Sequence, residues 1–221
     1  MILTSPEVTS SLEATVSLEA TVLARAQQLP VVPSLAGLLP GGALQRGTVV
    51  GIGGPAGATS LALALAAGPS QVGSWTGAIG FPTLGLAAAA GLGIDLARFA
   101  LVPEPGSQWA TVTAALLDAL DVVLVCPPGR VRSSDARRLA ARARERGAVL
   151  IVHGDQGKWP ETPSVRLVAA SSEWDGLGEG YGHLRAHRID VVVTGRGSAS
   201  RERRATAELD TPGGSHVRQA G

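Results

Sequence analysis

The sequence predicts an α/β fold: a mainly parallel sheet with helices on both faces and an antiparallel edge at its C-terminal end. Three observations carry this. Short apolar runs alternate with helical segments across residues 48–154, which calls for parallel strands joined by crossover helices. No charged side chain occurs between Arg46 and Asp95, the trace left when strands and helices are buried on every side. Two β-rich runs, "SVRLVAASSEW" and "GHLRAHRIDVVVTGRG", flank a glycine-rich turn, the pattern of a hairpin.

Taken in order, the chain opens with a duplication, "SLEATV" at 11–16 and again at 17–22. It is too short for a structural repeat and long enough for a peripheral helix ending by Pro30. "VVPSLAGLLPGGALQRG" has the punctuation of a loop, broken most clearly at Pro40-Gly41-Gly42. The core is then expected as strand 48–52, a glycine turn, helix 59–67, strand 75–80, helix 83–91, strand 99–102, helix 107–119 and strand 121–125. In "RVRSSDARRLAARARERG", Leu139, Ala140 and Ala143 share one face while seven arginines occupy the rest, which predicts a surface helix. "AVLIVHG" at 148–154 is a further buried strand. The last stretch, "SASRERRATAELDTPGGSHVRQAG", shows no apolar periodicity and is expected to be mobile. The chain thus divides into an N-terminal helix and linker (1–39), a core (40–195) and a mobile basic tail (196–221).

Composition narrows the function classes. Of 221 residues, 45% are hydrophobic but only 3% aromatic, so the core is built from Ala, Val and Leu. A formal net charge of +1 leaves no global field toward nucleic acid or membrane. The single cysteine, Cys126, excludes an internal disulfide and fits a reducing compartment, so a cytoplasmic location is expected. Glu7, Glu13 and Glu19 without a basic leader do not read as a secretory signal. Pro55, Pro69 and Pro82 interrupt the uncharged stretch, so no membrane span and no membrane partner are expected.

The chemistry-bearing motif is "GIGGPAGATSLALAL", residues 51–65, a strand, glycine turn and helix. A phosphate loop needs converging backbone N–H groups at a helix N-terminus, a lysine for the outer phosphates and a Ser or Thr for magnesium. Gly53, Gly54 and Gly57 supply the glycines and Thr59 or Ser60 the hydroxyl, but Ala58 stands where the lysine belongs and the spacing is short. A helix terminus carries roughly half a positive charge. Each lost charge-assisted contact is worth about 1.5–3 kcal/mol, so losing lysine and metal weakens triphosphate binding by roughly two to four orders of magnitude. The alternative G-x-G-x-x-A dinucleotide reading of residues 51–56 lacks the ribose-binding acid after the next strand.

The order of these parts resembles the RecA ATPase core over residues 40–195. "LLPGGALQRGTVV" is similar to that family's lead-in, and Gly54-Pro55 to the opening of its phosphate loop. The departures are consistent: Ala58 replaces the lysine, Phe81 and Pro82 lie where the water-activating glutamate belongs, and Cys126 and Pro127 end the strand that should end in the magnesium-linked aspartate. Pro82 and Cys126 are therefore the lost acid positions, and hydrolysis is expected to be absent. A core stripped in this way resembles the actinobacterial ImuA family, on "LPGGALQRG", "GATSLALAL" followed by "GSWTGAIG", and "ALLDALDVVLVCPP". That resemblance implies a non-catalytic, cofactor-free accessory role in DNA-damage-induced translesion mutagenesis. Its implied partners are an ImuB-like Y-family protein, RecA and DNA, and its implied location the nucleoid when recruited. The rival expectations are a divergent ATP-binding recombinase or ATPase recruiting Lys158, the only lysine, and a cell-division inhibitor of the SulA kind.

Other constellations carry blander meanings. His183 and His187 have the i, i+4 spacing of helical zinc ligands but run into the strand signal "IDVVV". His153 follows a strand, and neither Ser171 nor Ser172 can be paired with it from sequence. Arg130, Arg132, Arg137, Arg138, Arg142, Arg144 and Arg146 read as a solvated helix face. Arg196, Arg201, Arg203 and Arg204 in the tail are candidates for DNA or partner contact. Of four tryptophans, Trp159 and Trp174 are the candidates for partner binding.

Overall fold

The computed structural model describes residues 26–154, 158–177 and 182–210. The helix expected over the "SLEATV" duplication lies outside these residues, as does 211–221. A small antiparallel pair, β1 (Gln28–Pro30) and β2 (Ala43–Gln45), flanks a one-turn helix α1 (Pro33–Ala36) that begins on its proline. The main body follows as β3 (Val49–Gly53), α2 (Ala58–Gln71), β4 (Thr76–Ile79), α3 (Leu86–Gly91), β5 (Phe99–Val102), α4 (Trp109–Ala119), β6 (Val122–Val125), α5 (Ser133–Arg146) and β7 (Val149–His153). β8 (Val165–Leu177), β9 (Gly182–Gly195) and β10 (Arg203–Asp210) complete it.

These strands form one eight-stranded sheet in the order β10-β9-β8-β3-β7-β6-β4-β5. All pairings from β8 to β5 are parallel, while β8–β9 and β9–β10 are antiparallel. The expected α/β class, its helices on both faces and its antiparallel edge are present. Strand side chains alternate between two cores. Val50, Ile52, Leu124, Ile151, Leu167 and Ile189 pack with Leu61 and Leu65 of α2 on one face. Val123, Val125, Leu150 and Val152 pack with Leu117 of α4 and Leu139 and Ala143 of α5 on the other. Fully burying each large aliphatic side chain is worth about 1.5–3 kcal/mol.

Helix α2 runs through the Gly68-Pro69 pair at which sequence punctuation would stop it. A Cβ on Gly68 would stand 2.6 Å from the Pro30 carbonyl oxygen, so this glycine admits the β1 segment against the helix. The arginines of α5 behave as a solvated face with local ties. Arg142 and Arg146 both hold Asp118 of α4, Arg138 meets Asp135, and hydrogen bonds from Arg142 foremost keep the Asp118 carboxyl below the usual carboxylate range.

One expectation is corrected. The segment read as a mobile tail from 196 holds a 3-10 turn at Gly197–Ala199 and then sheet from 203 to 210: β10 pairs with β9 from Arg203↔Val193 to Asp210↔Ala186. The ordered body therefore extends past 195. Its inward positions include Ala207 and Leu209, and small alanines on a charged strand give too little apolar alternation to register in sequence. Among the described residues, no helix is long and apolar enough to cross a membrane.

Candidate functional site

β3 delivers the chain to the carboxyl edge of the parallel strands, where Gly54-Pro55-Ala56-Gly57 turns it into α2. Gly57 caps the helix with φ 82° and Gly54 has φ 127°, conformations that L side chains rarely adopt. Gly53 ends β3, Gly54 and Gly57 lie in this turn, and Ala58, Thr59 and Ser60 open α2. What holds the glycines in place is protein. A Cβ on Gly53 would stand 2.6 Å from the Gly154 carbonyl oxygen, one on Gly54 would collide with the Ala169 carbonyl oxygen of β8, and one on Gly57 would lie 3.1 Å from both Ile189 Cδ1 and Ser172 Cβ. The end of β7, β8 and β9 close on the turn from three directions.

The groups around the turn are mostly uncharged. Ala58 is buried at the position of the missing lysine. Thr59 Oγ1 lies 3.3 Å from His153 Nε2 at the end of β7, and the His153 ring meets Phe81 edge-on at 5.3 Å. Pro82 follows Phe81 at the surface, and Cys126, half-buried at the end of β6, donates its backbone N–H to the Ile79 carbonyl. Neither lost acid position carries a carboxylate. The Thr59–His153 pairing is invisible to sequence spacing because it depends on β3 and β7 being sheet neighbours. Ser171 instead donates to Asp190, as does Thr206, and these two hydroxyls, Thr206 first, hold the Asp190 carboxyl below its usual range. Lys158 stands beside Gly154, its Cδ 3.6 Å from where a Cβ would be, and lines a small cavity with Gly51, His153, Trp159 and Arg166.

The remaining candidates separate. Trp159 is 7% exposed and belongs to the core against α5, so it is not a surface anchor. Trp174 is 45% exposed on the arm that β8 and β9 project beyond the glycine turn, and stacks at 3.8 Å on His187. His187 is 2% exposed, with no hydrogen-bond partner for either ring nitrogen among the described residues, and burial pushes its pKa down. His183 and His187 both lie on strand β9, about 13 Å apart at strand spacing, which removes the helical zinc geometry. Among the described residues no cluster of His, Cys, Asp or Glu could hold a metal. Arg196, Arg201 and Arg204 are exposed around the β9–β10 connection, Arg204 lies 3.8 Å from Glu202, and Arg203 reaches the Leu38 carbonyl at 3.4 Å.

The family model for the MT3502 N-terminal domain matches residues 37–161, more than half of the sequence. The chain belongs to that family. The matched MT3502-type segment begins in the α1 region and reaches just beyond Trp159, so it contains the glycine turn, both lost acid positions and His153, but not the arm or β10. An uncharacterized protein of Mycobacterium tuberculosis, Rv3395c, is 40% identical over 141 residues, a match covering 62% of this chain and 66% of that protein. Among solved structures, the flagellar accessory protein FlaH from Methanocaldococcus jannaschii is similar with a TM-score of 0.53 at 14% identity, over 81% of this chain and 93% of that one. The fold of this MT3502-type protein is RecA-like.

Proposed function

We propose that this protein is a non-catalytic accessory factor of DNA-damage-induced translesion synthesis, of the ImuA type, acting in the cytoplasm by binding an ImuB-like Y-family protein and, at the nucleoid, RecA or DNA. The observation that carries the non-catalytic reading is the packing of Gly53, Gly54 and Gly57. Gly53 and Gly54 face main chain that an added Cβ would strike and Gly57 holds a positive φ of 82°, so the packing and shape of the turn account for these glycines without a phosphate. Ala58, Pro82 and Cys126 leave none of the three charged groups that phosphoryl transfer uses. A RecA-like body without turnover has its surface to offer, and the exposed Trp174 on the projecting arm is the anchor of the kind that dominates protein interfaces.

The decisive experiment is co-purification with an ImuB-type protein, comparing the full chain with Trp174→Ala and with a chain ending at residue 210. Loss of the complex in either variant, with folding retained, supports recruitment through that element. A complete failure to bind the ImuB-type protein refutes the assignment. Lys158 beside Gly154 favours one second reading, a divergent ATP-binding RecA-like protein. Calorimetry with ATP and magnesium separates the two: micromolar binding abolished by Lys158→Ala establishes the second.

A further inference from the structure

β10 ends the sheet, and among the described residues only β9 pairs with it. An eight-residue edge strand offers a row of backbone groups to another strand. Its sequence, Arg203-Arg204-Ala205-Thr206-Ala207-Glu208-Leu209-Asp210, is basic at the start and acidic at the end. A strand of that polarity is complementary to itself when the second copy runs antiparallel. We propose that β10 is the contact through which two copies of this chain associate, edge to edge, about a two-fold axis at Thr206.

The side chains fix the register. With Thr206 opposite Thr206 of the second copy, Arg204 falls opposite Glu208 and Ala205 opposite Ala207. Every opposed pair then lies on the same face of the sheet, as antiparallel pairing requires. On the outer face Glu208 already receives Arg188 from β9 at 2.7 Å, which leaves its other side open to the incoming Arg204. Arg204 is 82% exposed, with Glu202 at 3.8 Å. On the inner face the opposed alanines are small, and Arg203, which reaches the Leu38 carbonyl, falls opposite Leu209. Single-residue slips break the face alternation; a two-residue slip one way sets Arg204 opposite Thr206 and Glu208 opposite Glu202, and the other way keeps a charge pair, Arg204 with Asp210, but leaves Glu208 opposite Thr206. The contact is small and of the weak, reversible class.

Sedimentation velocity of the full chain over a range of concentrations is expected to show a monomer–dimer equilibrium. Arg204→Glu, which sets two acids opposite each other twice across the axis, weakens it about tenfold, and Arg204→Glu with Glu208→Arg restores it. Against a Cys126→Ala background, Thr206→Cys brings two thiols to a Cα separation of about 4.5–5.5 Å, within disulfide range, and forms a covalent dimer on mild oxidation. Arg204→Cys, displaced from its counterpart by four residues, does not. Circular dichroism melting verifies that each variant is folded. A chain that stays monomeric at every concentration, or a dimer indifferent to Arg204→Glu with equal crosslinking from both cysteines, overturns the proposal.

Discussion

Replacing Gly54 with alanine tests whether the glycine turn is a packed joint or an open cradle. Gly54 holds φ 127°, and an added Cβ meets the Ala169 carbonyl oxygen, with the Ala169 nitrogen and carbonyl carbon at 2.8 Å. Backbone strain of this kind costs about 1–3 kcal/mol. The collision is with main chain, so β8 must shift from β3 next to the Gly53↔Val168 pair, at about 1 kcal/mol for each ladder hydrogen bond lost. With about two such bonds lost the sum is about 3–5 kcal/mol, which lowers Tm by roughly 6–20 °C in a domain of this size. Calorimetric melting of the full chain measures it. Gly129→Ala is the control, because nothing stands within 4 Å of its Cβ position and its φ is not positive; its Tm is expected to stay within about 2 °C. If Gly54→Ala melts with the control, β8 does not press on the turn and the packing explanation for the glycines fails.

Trp159→Ala should cost about 3–5 kcal/mol in denaturant unfolding, as a buried aromatic truncation does, whereas Trp174→Ala should cost less than half of that and act mainly on partner binding. Burial lowers the pKa of His187, so the unfolded chain binds its proton first as pH falls. Stability is therefore full above the ordinary histidine value near 6.5 and declines below it, and His187→Phe should flatten that decline while keeping a ring stacked on Trp174. Ala58→Lys is expected to leave ATP titrations with magnesium silent, because the magnesium-linked acid is still missing at Cys126 and main chain crowds the glycines of the turn; micromolar binding in that variant would show that one ammonium sufficed.

The order of core elements from β3 to β7 was legible because each strand is a short apolar run and each connection is brief. Helix α2 outran its sequence signals, since the Gly68-Pro69 pair that reads as a stop serves as the seat for Pro30 and Val31. β10 escaped because only Ala207 and Leu209 of its described side chains are buried, too little apolar alternation on a charged strand to register in sequence. At the site, the residue types were readable and their meaning was not. Spacing identifies Gly53, Gly54 and Gly57 as a phosphate-loop pattern, but that Gly154, Ala169 and Ile189 fill the space around them follows from strand order, which no local pattern encodes. Likewise Trp159 and Trp174 look alike in sequence, and only packing sends one inward and leaves the other exposed on the arm.

The place of β3 at the middle of the sheet has a consequence for synthesis. Val50 pairs with Ile151 on one side and Val165 on the other, so the strand emerges from the ribosome about a hundred residues before either neighbour exists. Through that interval the uncharged stretch 47–94 is nascent chain with apolar surface and nothing to cover it, the condition that invites chaperone capture. The β8–β10 meander, contiguous in sequence, can close quickly by itself. Arrest of translation before residue 165 should therefore yield an aggregation-prone chain, and release beyond residue 210 a productive one.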